Sequence, residues 1–334
     1  MYLHYLLTEE YRVGTVKNRE HDAKPFFSVA GIFMASVKWI GIYLELSKYR
    51  VTSLMLVTAW IGMELAATTP IAFSKIFFSL LGIGCIACAA GGINHLLDFR
   101  LDCLMARTAR RPLPRRQVSP LHVLLFTIMI ASLGTLTLAC FANSLTIRLS
   151  LLSLIAYAII YTLFLKRMTT QNIVIGGLAG ASPPLLGWTA ITNHLDPGGL
   201  LLVLIIFTWT PAHFWSLAIA RYEDYKKSQL PILPVTHGIP FTKQQILLYI
   251  LLLSGVTLLP FSIGMSGLFY LIAALLLNTG FLMAAIRLIK QTKNAVAMKV
   301  FHYSNFYLLV LFVCLLIDHV LISNQENIDG LPIF

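Results

Sequence analysis

Runs of about 20 mostly apolar residues alternate along the chain with short polar segments, and nine such runs can be read. They fall at roughly 49–67, 75–97, 121–141, 147–165, 173–192, 199–219, 245–266, 268–289 and 299–321. At about 1.5 Å per residue each is long enough to cross a hydrocarbon core about 30 Å thick as a helix. An open strand edge in lipid would leave backbone N–H and C=O groups without partners, so all nine are read as helices. The pattern therefore predicts an all-α polytopic membrane protein, a bundle of nine transmembrane helices around a central cavity. No fixed-period repeat, low-complexity tract or linker marks a second domain. Residues 1–42 are expected to be a cytosolic tail, disordered in part. Residues 43–321 would form the membrane domain, and 322–334 a short non-cytoplasmic tail.

Composition narrows the class in the same direction. Of 334 residues, 57% are hydrophobic and 12% charged, about half the charge of an ordinary soluble domain. Too few charges are present to cover a water-facing surface, and the apolar content excludes disorder and a small disulfide scaffold. The five cysteines show no metal spacing. Cys85 and Cys88 form a CxxC inside a span and, like Cys103, Cys140 and Cys314, are read as packing residues. No P-loop, dinucleotide fingerprint or HExxH is present.

The formal net charge of +11 gains meaning from its distribution. With the N-terminus in the cytoplasm, all of the 25 Lys and Arg residues except Lys75 and Arg148 lie on the cytoplasmic side. That partition supports the span count and the direction, and it removes the nucleic-acid reading of a basic chain. The first 35 residues lack a signal-peptide pattern, and Glu9, Glu10, Glu20 and Asp22 argue against a transit peptide. A bacterial inner (plasma) membrane is the simplest address.

Polar residues at span ends carry the candidate chemistry. If the second span continues as a helix, Asn94, Asp98 and Asp102 fall at i, i+4 and i+8, on one face. Like charges at this spacing repel, and a hard cation between them would reverse the sign. Mg²⁺ takes oxygen ligands and commonly binds one or two carboxylates together with substrate phosphates. Arg107, Arg110 and Arg111 follow, then Arg115 and Arg116. Guanidinium forks match phosphate oxygens, so acids followed by arginines read as a metal–diphosphate site rather than a solvated loop.

Other positions stay open on residues alone. Glu223 and Asp224 past the sixth span are either a second acidic patch across a cavity or an ordinary charged loop. Lys166 and Arg167 stand at a span entrance. Gly176, Gly177 and Gly180 permit close helix approach, while Pro183 and Pro184 should bend the fifth span. His213, beside Trp209, Phe214 and Trp215, either serves a porphyrin or bonds a neighbouring helix. Asn278, His302 and Asn305 read as interhelical hydrogen-bonders.

The run NHLLDFRLDCLMARTARRPLP, from Asn94 to Pro114, resembles the NxxxDxxxDxxMxRTxxRPLP signature of the protoheme IX farnesyltransferase (haem O synthase) family, within the UbiA-type intramembrane prenyltransferases. YLELSKYRVTSLMLVTAWIGMELA, NIVIGGLAGASPPLLGW, WTPAHFWSLAI, DYKKSQLPILPVTHG and FHYSNFYLLVLFVCLLID are similar to further segments of that family, so the resemblance runs from about residue 43 to 320. It implies transfer of farnesyl from farnesyl diphosphate to a vinyl group of haem b, giving haem O and diphosphate. It also implies a Mg²⁺ site on Asn94, Asp98, Asp102 and Asp224, the first three being catalytic. Arg107, Arg110, Arg111, Lys166, Arg167, Lys48 and Arg50 would bind the diphosphate, with His213 and Trp209 on the haem side. Farnesyl diphosphate, haem b, membrane lipid and other haem-biosynthesis or oxidase-assembly proteins are the implied partners. The chain departs from the family at Lys48-Tyr49-Arg50, where Lys-Pro-Arg is usual. It also has Ala212 for a Pro and Arg116 for a Gly. A prenyltransferase for another aromatic or quinone-precursor acceptor and a transporter are the competing readings. A transporter would place acids near the bilayer midplane and show inverted repeats, and neither is seen here.

Overall fold

The structure is a computed structural model that describes residues 39–104, 108–228, 230–291 and 294–329. Most of the expected tail, Arg107 and residues 330–334 lie outside the described residues. The described secondary structure is helical throughout. Among the described residues eight helical stretches are long and apolar enough to cross a membrane, and the protein is an integral membrane protein. They are α2 (Phe73–Leu97), α4 (Pro120–Phe141), α5 (Ser144–Met168), the pair α6 (Asn172–Gly180) and α7 (Pro183–Thr192), α8 (Pro197–Ala220), α10 (Ile239–Ser262), α11 (Leu268–Lys290) and α12 (Asn294–Asp329). The first expected span is α1 (Tyr49–Ala66). It carries Arg50 and Glu64, so it is less apolar than the others, yet it packs inside the bundle on α7, α2 and α12. Short helices at span ends include α3 (Phe99–Leu104) and α9 (Tyr222–Lys227).

Local chemistry explains where these helices start and stop. Ser119 caps α4 by accepting from the His122 backbone N–H, and Pro120 takes a first-turn position that needs no donor. Asn143 caps α5 and also donates from its amide to the Thr189 carbonyl of α7 at 2.6 Å. The expected bend in the fifth span is a full break: α6 ends at Gly180 and α7 restarts at Pro183. Two adjacent prolines remove the donors that would continue the ladder. Asp318 of α12 accepts from the backbone N–H groups of Gly267 and of Tyr270, the latter at 3.1 Å, and so caps the start of α11. The last helix runs to Asp329, past the expected end near 321.

Sequential helices pack as neighbours and α12 returns to α1, closing the ring. One large apolar core joins α1, α8, α10, α11 and α12 around Trp215, Tyr270, Phe281 and Phe312. A smaller core joins α2, α4 and α7 through Ile83, Ile86, Leu138 and Leu186. Between α1 and α7 the backbones nearly touch. A Cβ on Gly187 would lie 1.8 Å from the Ala59 carbonyl oxygen, and one on Gly62 would lie 2.1 Å from that of Pro184. Outward faces of the helices carry large exposed apolar side chains, such as Leu136, Leu276 and Met129, as lipid-facing surfaces must.

Candidate active site

Asn94, Asp98 and Asp102 share one face, as their spacing requires. The helix does not run straight through them: α2 ends at Leu97, and Asp98 takes a bridge conformation (φ −89°, ψ 0°) before α3 begins. The four-residue hydrogen bonds nevertheless continue, from Asp98 N–H to the Asn94 carbonyl at 2.9 Å and from Asp102 N–H to that of Asp98 at 2.8 Å. All three side chains are buried.

Three cations converge on them. The Lys166 ammonium donates to Asp98 Oδ2 at 2.7 Å. Arg111 donates to both Asp102 oxygens, at 2.7 and 2.9 Å. Lys48 donates to Asn94 Oδ1, and to the Tyr157 hydroxyl at 3.0 Å. Asn94 is thereby oriented, since its amide nitrogen donates to Asp98 Oδ2 at 2.8 Å and to Thr162 Oγ1 at 3.0 Å. Burial pushes the Asp102 carboxyl above the usual carboxylate range, against the pull of the neighbouring Arg111 guanidinium. Lys48 itself sits in the left-handed region, at φ 49° and ψ 43°, at the junction between the helical residues 39–46 and α1. That turn directs its chain into the site instead of along the helix.

The partners from α5 depend on an irregularity. Residues Ala156–Leu165 form a π-helix. On an α-helix, residues five apart diverge by about 140°; a π turn aligns them. Tyr157 and Thr162 therefore both face the acids, and Thr162 donates to the Tyr157 carbonyl at 2.9 Å. Gly176 of α6 makes room for Tyr161, whose ring would meet a Cβ there at 2.2 Å.

Run 55–311 matches the model of the UbiA prenyltransferase family. The chain belongs to that family. It is 54% identical over 277 residues to a protein named protoheme IX farnesyltransferase from Legionella pneumophila (strain Lens), covering 83% of this chain and 94% of the relative. It is 53% identical over 282 residues to protoheme IX farnesyltransferase 1 of Pseudomonas putida (strain W619), covering 84% and 95%. Among solved structures it is similar in fold to a digeranylgeranylglyceryl phosphate synthase, with TM-score 0.70, 18% identity, and 84% and 98% of the two chains covered. A UbiA homologue from Archaeoglobus fulgidus bound to DMAPP and Mg²⁺ matches with TM-score 0.59 and 16% identity, covering 82% and 99%.

Within this family member, the structure gathers only part of the expected site. Lys48, Asn94, Asp98, Asp102, Arg111 and Lys166 come together. Arg110 is exposed. Arg167 is exposed and reaches back to the Leu97 carbonyl at 3.5 Å. Arg50 is exposed on α1 and donates to its neighbour Tyr49 at 3.0 Å. Asp224 pairs with Arg221 at 3.9 Å. Among the described residues no three His, Cys, Asp or Glu side chains gather closely enough to hold a metal, so Asp224 does not join the Asp98–Asp102 pair. Its helix is close all the same: Tyr225 of α9 and Leu101 of α3 pack on one cluster with Ala218, Leu230 and Ile232. Two carboxylates still fit a divalent cation that completes its shell with substrate oxygens. Asp98 Oδ1 fits it best, being buried with no hydrogen-bond partner.

His213 is part of a joint between helices. Its Nδ1 is 2.7 Å from Ser304 Oγ, its ring stacks on Trp209 at 4.2 Å, and Trp209 donates to the Ser304 carbonyl at 2.8 Å. Asn278 likewise bonds between helices, to Thr257 of α10 and Tyr307 of α12, whereas Asn305 bonds within α12. Sequence reasoning missed Tyr157 and Thr162, because the π turn leaves no periodicity signal. It also missed His95, which is buried beside Asn94 with neither ring nitrogen hydrogen-bonded.

Proposed function

We propose that the protein transfers the farnesyl group of farnesyl diphosphate to a vinyl group of haem b, producing haem O and diphosphate. The reading is carried by one combination. A chain 54% identical to named protoheme IX farnesyltransferases buries two carboxylates under three cations at one end of a lipid-embedded bundle. Asp98 and Asp102, oriented by Asn94, would hold a divalent cation such as Mg²⁺. When bound, that cation supplies positive charge to the departing diphosphate.

The chain's own residues do the rest. Arg111, Lys166 and Lys48 already point into the site, so charge that develops on the leaving oxygen meets fixed donors instead of reorganising water. The bond between farnesyl C1 and the diphosphate oxygen breaks, with its electron pair leaving on the diphosphate. The surrounding apolar helices keep water from the allylic cation until the haem vinyl group attacks it. The terminal vinyl carbon bonds to C1, water oxygen takes the resulting cation centre, and a proton is released. No protein nucleophile is needed. The membrane is proposed to be the bacterial inner membrane, with the site on the cytoplasmic side, following the basic loops.

Purified protein incubated with haem b, farnesyl diphosphate and Mg²⁺ tests this. Haem O detected by mass is the expected product, and EDTA should suppress it. Release of diphosphate with a prenylated quinone precursor but not with haem would assign the acceptor elsewhere.

A further inference from the structure

Three side chains of α5 form a row that begins at the acids. Lys166 meets Asp98 at 2.7 Å, and Thr162 meets Asn94 at 3.0 Å. Tyr157 stands one π turn further along, near the midpoint of the span Ser144–Met168, and is the innermost member of the row. A polar group at that depth is expensive unless something uses it.

The Tyr157 hydroxyl is held in place from two directions. Its oxygen accepts from the Lys48 ammonium at 3.0 Å, and the same ammonium donates to Asn94 Oδ1. That nitrogen is 5.3 Å from the ring centre, so it meets the hydroxyl and not the ring face. The ring itself stacks on Tyr161 at 5.8 Å, with the planes 15° apart. An ammonium has no lone pair, so the phenol hydrogen cannot return to Lys48. Among the described residues no group accepts it, and Tyr157 is only half-buried. A fixed donor, polarised by the cation on its own oxygen, therefore faces the site with its hydrogen unused.

The next step rests on the function proposed above. With the diphosphate at the acids, the apolar farnesyl chain runs inward among the helices. The C1–O bond that breaks lies where the two meet, at the inner end of the row. We propose that Tyr157 is a catalytic residue whose O–H donates to the diphosphate oxygen that leaves C1. In the bound substrate that oxygen is an ester oxygen with little charge. As the bond breaks it keeps the electron pair and becomes a charged terminal oxygen, while the phenol keeps its hydrogen. A hydrogen bond that strengthens only as charge develops lowers the barrier without tightening the substrate.

Tyr157→Phe retains the ring and removes only the hydroxyl. Full-length protein with haem b, farnesyl diphosphate and Mg²⁺ should lose about ten- to a hundredfold in kcat, the value of a hydrogen bond to a charged oxygen, with little change in KM for the diphosphate. Inorganic diphosphate carries that charged oxygen, and calorimetry with Mg²⁺ should show it bound about tenfold more weakly. Lys48→Met separates contact from positioning. If Tyr157 only braces the ammonium, Tyr157→Phe costs nothing further once the ammonium is gone. A direct contact still weakens inorganic diphosphate several-fold in that background. An unchanged kcat, a rise in KM alone, or no further loss of diphosphate binding in the Lys48→Met protein would each overturn the proposal. Absence of haem O with the unmodified protein would sink the acceptor reading alone, because the calorimetric arm needs no acceptor.

Discussion

Arg111 holds Asp102 by both carboxylate oxygens through one guanidinium nitrogen, at 2.7 and 2.9 Å. The contact joins α3 to the 108–118 turn, and Thr108 reinforces it by donating to the Asp102 carbonyl at 3.0 Å. The pair is mostly buried, so a structural use accompanies its proposed chemical one. Arg111→Ala should lower affinity for farnesyl diphosphate by about one to two decades, the value of a lost charge-assisted hydrogen bond. It should also destabilise the protein by about 3 kcal/mol, since a buried carboxylate loses its partner. The double variant Arg111→Gln with Asp102→Asn should recover much of the stability and none of the turnover. Thermal unfolding in detergent and a diphosphate titration separate the two effects. A single variant of unchanged stability would show that the pair does not hold the 108–118 turn on α3.

Binding of metal and diphosphate should be strongly coupled. Lys48, Lys166 and Arg111 occupy Asn94 Oδ1, Asp98 Oδ2 and both Asp102 oxygens, leaving only Asp98 Oδ1 without a partner among the described residues. A divalent cation that takes more than that one oxygen must displace ammonium and guanidinium groups, which without diphosphate have no anion to meet. With diphosphate present those groups transfer to phosphate oxygens and the carboxylates are freed. Mg²⁺ affinity measured by calorimetry should rise about 5–150-fold when inorganic diphosphate is added, the usual span of coupling between sites. Lys166→Met should shrink that factor. Identical Mg²⁺ affinities with and without diphosphate would contradict the exchange of partners.

The fold was largely legible in the hydrophobic pattern because lipid imposes length and secondary structure together. Each expected span has a helix, displaced by a few residues where caps such as Ser119 and Asn143 set the boundary. Asn94, Asp98 and Asp102 were legible for a related reason: four-residue spacing fixes a shared face even across the kink at Asp98. What the pattern did not contain was the partner set. Thr162 and Tyr157 are ordinary residues in an apolar run, brought to the acids by a π-helix that simple periodicity misplaces. The seven cations read as diphosphate ligands were not distinguishable by composition, and geometry divides them. Lys48, Lys166 and Arg111 reach the acids, Arg50, Arg110 and Arg167 stay exposed, and Arg107 lies outside the described residues.

Close packing of α1 on α7 should make two glycines intolerant of any side chain. Gly187→Ala and Gly62→Ala each push a Cβ into a facing backbone carbonyl, which cannot rotate aside. Overpacking of this kind costs about 1–3 kcal/mol. Gly180→Ala is the control, because nothing lies within 4 Å of the added Cβ. Unfolding midpoints of the three variants in one detergent should show loss for the first two only. A Gly187→Ala protein as stable as the Gly180→Ala protein would mean that α1 and α7 are not so close.

Lys48 offers a way to separate backbone from side chain at the site itself. Its left-handed conformation (φ 49°) costs an ordinary residue about 1 kcal/mol or more, and costs glycine almost nothing. Its ammonium, however, reaches both Asn94 and Tyr157. Lys48→Gly and Lys48→Ala remove the same hydrogen bonds but only the first relieves the backbone. Both should lose most turnover, with the Michaelis constant for farnesyl diphosphate raised to a similar extent. The glycine variant should nevertheless be more stable than the alanine variant by about 1 kcal/mol. Lys48→Arg keeps the charge and should retain part of the diphosphate affinity while fitting the narrow space beside Asn94 poorly. If glycine restored turnover along with stability, the ammonium would be dispensable and the strained turn alone would account for the effect. If the glycine and alanine variants were equally stable, the left-handed turn would not be the conformation the protein adopts in the membrane.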